Sequence, residues 1–255
     1  MIKRVLLTTL SKGPRNDEVY QFNCSIPSAE RQSRMNVKHQ PGPMPRDRDE
    51  WLARLDLSNF INTYYQYRDI SRLQKSGRIL IVGPGQGLDT AVLKWRGYDV
   101  TTFDIDNTFH PDILGSIHDL SMIADQSYDF ITASHVLEHL PVRYLDDCIK
   151  EMSRVAKYAL VYLPVNGRHL QLRMRPGLRG WHWSWGFDLI NWLRRPTGER
   201  LEFMSGQHYW EVGLTGFSKQ RILQRMEKHF SVVDVYRNTD WTPSMNFVLK
   251  SKFTV

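Results

Sequence analysis

The sequence predicts an α/β protein built on a doubly wound, mostly parallel sheet with an antiparallel last strand and helices on both faces. Three observations carry that expectation. Ile79, Leu80, Ile81 and Val82 form a short apolar run that stops at glycine, as a strand buried on both faces of a parallel sheet does. Strand-like and helix-like stretches then alternate as far as Leu163. Near the end, residues 232–236 and 245–249 read as strands joined by a loop too short for a crossover, so they pair antiparallel.

Taken in order, residues 11–48 are rich in proline, asparagine, glutamine and charge, and PGPMPRDRDE is a poor host for regular structure. Residues 1–49 are therefore expected to be a partly ordered arm before a single domain over 50–255 with an insertion at 166–206. Trp51, Leu52, Leu55, Leu57, Phe60, Ile61 and Tyr64 recur near helical spacing, which predicts an amphipathic helix reaching Leu73. Tyr64, Tyr65 and Tyr67 either line a pocket or pack in the core, and packing is expected of at least two of them.

After the first strand, Gly83, Gly85 and Gly87 allow a tight turn and a close approach of backbone to ligand. A helix over 89–95 closes at Gly97, and residues 100–103 give a second strand. Residues 113–117 are a candidate third strand. Residues 128–133 form a fourth, bounded by Ser134 and His135. Pro141 starts a helix whose apolar face is Tyr144, Leu145, Cys148, Ile149, Met152 and Val155. Residues 158–163 are a fifth strand, stopped by Pro164. The stretch 166–206 breaks the rhythm with seven arginines and four tryptophans, among them Trp181 and Trp183, and is expected to overhang the crevice at the carboxyl ends of the strands.

Length and charge set bounds. A chain of 255 residues buries a substantial core, and a net charge of +7 favours anionic partners without by itself arguing for nucleic acid. Cys24 and Cys148 are far apart and outside any C-x-x-C spacing, which excludes a disulfide framework or a thiolate zinc site and fits a reducing compartment. No stretch approaches the roughly 20 apolar residues of a membrane span. The expectation is a soluble, cytoplasmic protein.

The chemistry-bearing pattern is the glycine turn followed by Asp104, 21 positions after Gly83 and at the end of the second strand. A nucleoside-binding βαβ unit places its acid there, on the ribose hydroxyls; the bland alternative is a solvated strand-end carboxylate. Leu88 stands where a dinucleotide fingerprint has its third glycine, which argues against a nicotinamide-dependent oxidoreductase.

With VGPGQG at 82–87, Asp104, SYDFI at 127–131 and SHVLEHLP at 134–141, the sequence resembles the class I S-adenosylmethionine-dependent methyltransferases, closely over about 78–165. The resemblance implies a Rossmann-like seven-stranded sheet and S-adenosylmethionine as cofactor. It gives Gly83, Gly85, Gln86 and Gly87 to the methionine part, Asp104 to the ribose and Ile105 to the adenine side. Ser116 stands where relatives often carry an acid for the adenine amino group, so Ile117 and His118 are expected to serve through backbone contacts, with Asp119 the alternative acid. Ser134 closes the cofactor side.

His135, Glu138 and His139 are spaced to share an early helical face, and three readings stay open. They brace the loop, or His135 or His139 is a general base, or the three bind a divalent metal. A subset of quinone-pathway O-methyltransferases similar in this stretch uses E-x-x-E-H for a metal. His135 replaces the first Glu of that pattern and no other residue converges on it in the sequence, so no metal is assigned. GQHYWEVG at 206–213 brings together His208, Tyr209, Trp210 and Glu211, either as a packed aromatic corner or as acceptor recognition. On the second reading His208 and Glu211 join the candidate bases, while Tyr209, Trp210, Trp181 and Trp183 hold a small-molecule or saccharide acceptor. An RNA methyltransferase and a non-catalytic cofactor-binding protein of the same fold are the rivals.

Overall fold

The computed structural model describes residues 55–166, 169–174, 183–188, 208–238, 240 and 244–253. The expected arm over 1–49, Cys24, Trp181 and most of the insertion lie outside the described residues. Seven strands form one sheet in the order β3-β2-β1-β4-β5-β9-β8: β1 (Arg78–Val82), β2 (Asp99–Asp104), β3 (Ile113–Leu114), β4 (Tyr128–Ser134), β5 (Ala156–Pro164), β8 (Phe230–Asn238) and β9 (Ser244–Ser251). Neighbours from β3 to β5 pair parallel, and β9 runs antiparallel between β5 and β8. The remaining strands, β6 (His169–Met174) and β7 (Trp183–Asp188), pair as a separate two-stranded hairpin within the insertion.

Alternation along β1 divides the core between two faces. Ile79 and Ile81 pack with Ile70 of helix α1 (Leu57–Leu73) and Leu93 of α2 (Leu88–Trp95). Leu80 and Val82 pack with Ile149 and Met152 of α3 (Leu145–Val155) and Met226 of α4 (Lys219–Met226). A strand buried on both sides needs apolar residues at successive positions, which is why this segment shows a run and not an alternation. Cys148 lies in the second cluster, where burial pushes its thiol up to about 12 and keeps it unreactive.

Several boundaries differ from the sequence expectation. Helix α1 starts at Leu57 because Asp56 caps it, accepting from Ser58 N (2.9 Å) and Asn59 N (3.3 Å) while Asn59 Oδ1 accepts from Asp56 N (3.0 Å). Its buried face is not the apolar one read from the spacing: Leu57, Phe60 and Tyr64 are exposed, whereas Thr63, Tyr65, Gln66, Asp69 and Ile70 point inward. Polar residues prevail there because partners await them. Asp69 accepts from Tyr162 Oη (2.7 Å) and Tyr236 Oη (2.5 Å) and pairs with Arg68 (2.8 Å). The third strand ends at Leu114, since the chain turns over Ser116–Asp119 and drops Ile117 into the core. Between Pro141 and α3 stands a single 3₁₀ turn (Val142–Tyr144), so the helix begins at Leu145.

Candidate active site

The carboxyl ends of three adjacent strands meet in register. Val82 faces Phe103 on one side and Ala133 on the other, which sets Gly83 between Asp104 and Ser134. From β1 the chain winds outward through β2 to β3 and then crosses back to β4 on the other side of β1, so a crevice opens at this switch of strand order. Gly83, Gly85 and Gly87 all have positive φ (66°, 52° and 75°). At Gly83 packing enforces the absence of a side chain, because a Cβ would lie 2.6 Å from Val136 Cγ2 in the loop after β4. At Gly87, the N-cap of α2, a Cβ would meet nothing within 4 Å. The turn is thus locked against the neighbouring loop at one end and open beside a helix N-terminus at the other, a geometry that suits an anionic group.

Asp104 ends β2 and accepts from Asp106 N (2.8 Å). Burial raises its pKa above the usual carboxylate range, so the crevice holds a poorly solvated acceptor. Ile105 beside it is half exposed. Ile117 is a core side chain, leaving only its backbone for a ligand, and His118 bonds Ser116 Oγ through Nδ1 (2.7 Å) while its ring packs against Tyr144. Ser134 Oγ accepts from Asn62 Nδ2 (3.3 Å), and Gln66 Nε2 donates to Asp89 Oδ2 (3.4 Å). Helix α1 therefore walls one side of the crevice with Asn62 and Gln66, residues the sequence reading did not select because an amide on a helix carries no motif.

Burial pushes Asp89, in the first turn of α2, up to about 6 against a hydrogen bond from Thr90 N (2.7 Å). The folded chain thus holds this proton more tightly than the unfolded one. The stability it contributes is complete below about pH 4 and is lost as pH rises through about 6, a swing of roughly 2 to 3 kcal/mol at most. Asp89→Asn is expected to match the parent near pH 4 and to exceed it by about 1 to 2 kcal/mol at pH 7.5, because the new amide also offers a donor to the buried, unpaired Gln66 Oε1. Urea melts at the two pH values check this. A difference that ignores pH would disprove the assignment.

His135, Glu138 and His139 do not share a helical face. His135 sits at the end of β4 with φ 55°, its N–H donating to Tyr162 O (2.9 Å), and a 3₁₀ turn (Leu137–His139) follows. The tighter turn brings His135 Nδ1 to 3.4 Å from Glu138 Oε1, while the His139 ring lies edge-on to His208 with centroids 4.9 Å apart. The GQHYWEVG segment is anchored to this loop: Tyr209 N donates to Glu138 O (2.8 Å), Trp210 Nε1 to Leu140 O (3.1 Å) and Val212 N to Pro164 O (2.9 Å). Trp210 is fully buried against Phe217, so its expected role in holding an acceptor is corrected: with its N–H spent and its ring in the core, it fastens the segment. Tyr209 is partly exposed, and Trp183 opens β7.

His208 Nδ1 bonds Glu211 Oε1 (2.7 Å), and Asn166 Nδ2 donates to Glu211 Oε2 (2.8 Å). The bond to Glu211 raises the His208 pKa. Burial alone would raise Glu211, but the bonds from His208 and Asn166 outweigh it and hold the carboxyl below its usual range. The site thus joins an oriented imidazole, two carboxylates and a second histidine at the edge of the crevice. Asn166 had no motif to announce it, and only its position just after β5 places it here.

Residues 80–159 match the family model described as a methyltransferase domain. No curated protein matches the sequence. Among solved structures, a protein from Pyrococcus horikoshii OT3 aligns at 15% identity and TM-score 0.52 over 79% of this chain and 93% of its own. The N-methyltransferase NodS from Bradyrhizobium japonicum WM9, solved with S-adenosyl-L-homocysteine, aligns at 12% identity and TM-score 0.50 over 81% of this chain and 97% of its own. At such identities the likeness concerns the fold, and among the described residues no helix is long and apolar enough to cross a membrane. The seven strands in the order 3-2-1-4-5-9-8, with the ninth reversed, form a Rossmann-like α/β fold, and the segment that carries the glycine turn, Asp104 and β4 is similar to a methyltransferase domain.

Proposed function

We propose that the chain binds S-adenosylmethionine across Gly83, Gly85, Gln86, Gly87, Asp104, Ile105 and Ser134 and passes its methyl group to a small-molecule or saccharide acceptor. The observation that carries this reading is the pairing of Asp104, a desolvated carboxylate, with a locked glycine turn on the adjacent strand end. Two ribose hydroxyls would give that carboxylate the hydrogen bonds it lacks water to make, and the open α2 N-terminus favours the methionine carboxylate. Backbone at Ile117 and His118 lines the adenine side.

In the transfer, the acceptor atom attacks the sulfonium methyl in line, the C–S bond breaks and S-adenosylhomocysteine leaves. Positioning supplies most of the rate, and one of His135, His139, His208 or Glu211 takes the acceptor proton where there is one to lose. Tyr209, partly exposed and fastened through its N–H to Glu138 O, offers a ring for an acceptor. Nucleic acid is not favoured as acceptor, since the sequence shows no separate RNA-binding module and lacks, after Phe130 to Ala133, the N-P-P-Y type motif of many base amino methylases.

Calorimetry against S-adenosylmethionine, S-adenosylhomocysteine and NAD tests the cofactor. The first two are expected to bind at one equivalent and NAD not to. Binding without methyl transfer to any of a panel of sugars, quinones, nucleotides and RNA would favour the non-catalytic reading.

A further inference from the structure

Glu138 is a side chain that cofactor binding leaves unexplained. It is fully buried, and neither carboxylate oxygen has a hydrogen-bond partner among the described residues. His135 Nδ1 comes only to 3.4 Å of Oε1, beyond an ordinary hydrogen bond. A buried carboxylate in this condition costs several kinds of lost solvation at once, and proteins offset that by placing a cation on it.

We propose that Glu138, His139 and His208 together bind one divalent first-row transition-metal ion. One ligand atom from each lies within 4.8 Å of the other two. Metal–ligand bonds of about 2.0 to 2.2 Å set ligand atoms about 3 to 4 Å apart, so the cluster needs a contraction of only about 1 Å to close on an ion. Two ligands stand on the 3₁₀ turn after β4, and the third comes from the segment that Trp210 and the Tyr209 N–H fasten to that turn. The fold, not the local motif, completes the set.

The surroundings fit an ion. Glu211 accepts from His208 Nδ1 and is itself held by Asn166, which leaves Nε2 of His208 for a metal and fixes the ring. Glu138 and Glu211 supply two negative charges against a dication. Two imidazoles and one carboxylate suit zinc, cobalt or nickel better than magnesium, calcium or manganese, which favour oxygen ligands. A metal-bound His208 no longer takes a proton; the ion would instead lower the pKa of an acceptor hydroxyl bound to it. Ion binding itself does not depend on the methyl-transfer reading.

The test uses the full chain stripped with a chelator, titrated calorimetrically with Zn²⁺ and spectroscopically with Co²⁺. One equivalent of each is expected, with visible Co²⁺ bands that Zn²⁺ abolishes and Mg²⁺ does not. Glu138→Gln, His139→Ala and His208→Ala should each weaken Zn²⁺ binding at least tenfold, while His229→Ala, partly buried just before β8 at the opposite end of the sheet, should not. Thermal melts separate loss of binding from loss of fold, and should Glu138→Gln fail to fold, the two histidine variants decide. Absence of stoichiometric binding by the parent chain, or undiminished binding by folded His139→Ala and His208→Ala, overturns the proposal. Zn²⁺ binding without S-adenosylmethionine binding would leave the ion site standing and remove the cofactor reading alone.

Discussion

Asp104→Ala is expected to weaken S-adenosylmethionine binding by at least tenfold while leaving the fold intact. Two hydrogen bonds from ribose hydroxyls to a charged acceptor are worth roughly 1.5 to 3 kcal/mol each, and partial solvation of the empty site returns some of that loss. Stability should hold, because burial already raises the pKa of this carboxyl, so its ionised form costs the folded state free energy near neutral pH. The variant separates binding from folding: calorimetry should register the fall in affinity and a thermal melt almost none. Undiminished affinity in a folded variant would remove Asp104 from the cofactor site.

Asp69→Ala is expected to cause the largest loss of stability, about 3 to 5 kcal/mol. Its carboxylate serves Tyr162 Oη, Tyr236 Oη and Arg68, and thereby ties α1 to β5 and β8 through a buried network. Truncation leaves two tyrosine hydroxyls without their acceptor, and burial beside Asp69 already holds the Tyr162 hydroxyl far from ionisation. Arg68 keeps some access to water and also lies over the Tyr65 and Tyr236 rings, which moderates its share. Asp69→Asn keeps an acceptor and should lose about half as much. A denaturant series on the three proteins measures this, and a loss below about 1 kcal/mol would mean that desolvation of the network cancels its bonds.

Much of the fold was legible because its signals are local. An apolar run ending at Gly83, the alternation of strand and helix, and two late strands separated by a short loop depend on neighbours in sequence, and they correspond to β1 to β5, α2 to α4 and the reversed β9. Misreadings arose where a tertiary partner overrode spacing. Helix α1 turns Gln66 and Asp69 inward because Asp89, Tyr162 and Tyr236 wait for them, and leaves Phe60 and Tyr64 in solvent. Trp210 looks like a ligand-facing aromatic in a motif, yet its N–H and its ring are both spent on packing.

The sequence alone determined the strand that ends in a glycine turn, the acid 21 positions on, and hence the fold class, because those features are set by backbone conformation over short distances. Only the tertiary structure decided that Gly83 is locked by Val136, that Asn62, Gln66 and Asn166 bond Ser134, Asp89 and Glu211, and that His208 comes close to Glu138 and His139. Those contacts join segments far apart in the chain, and their distances follow from how β4, β5 and the loop beyond them pack, which no residue spacing encodes.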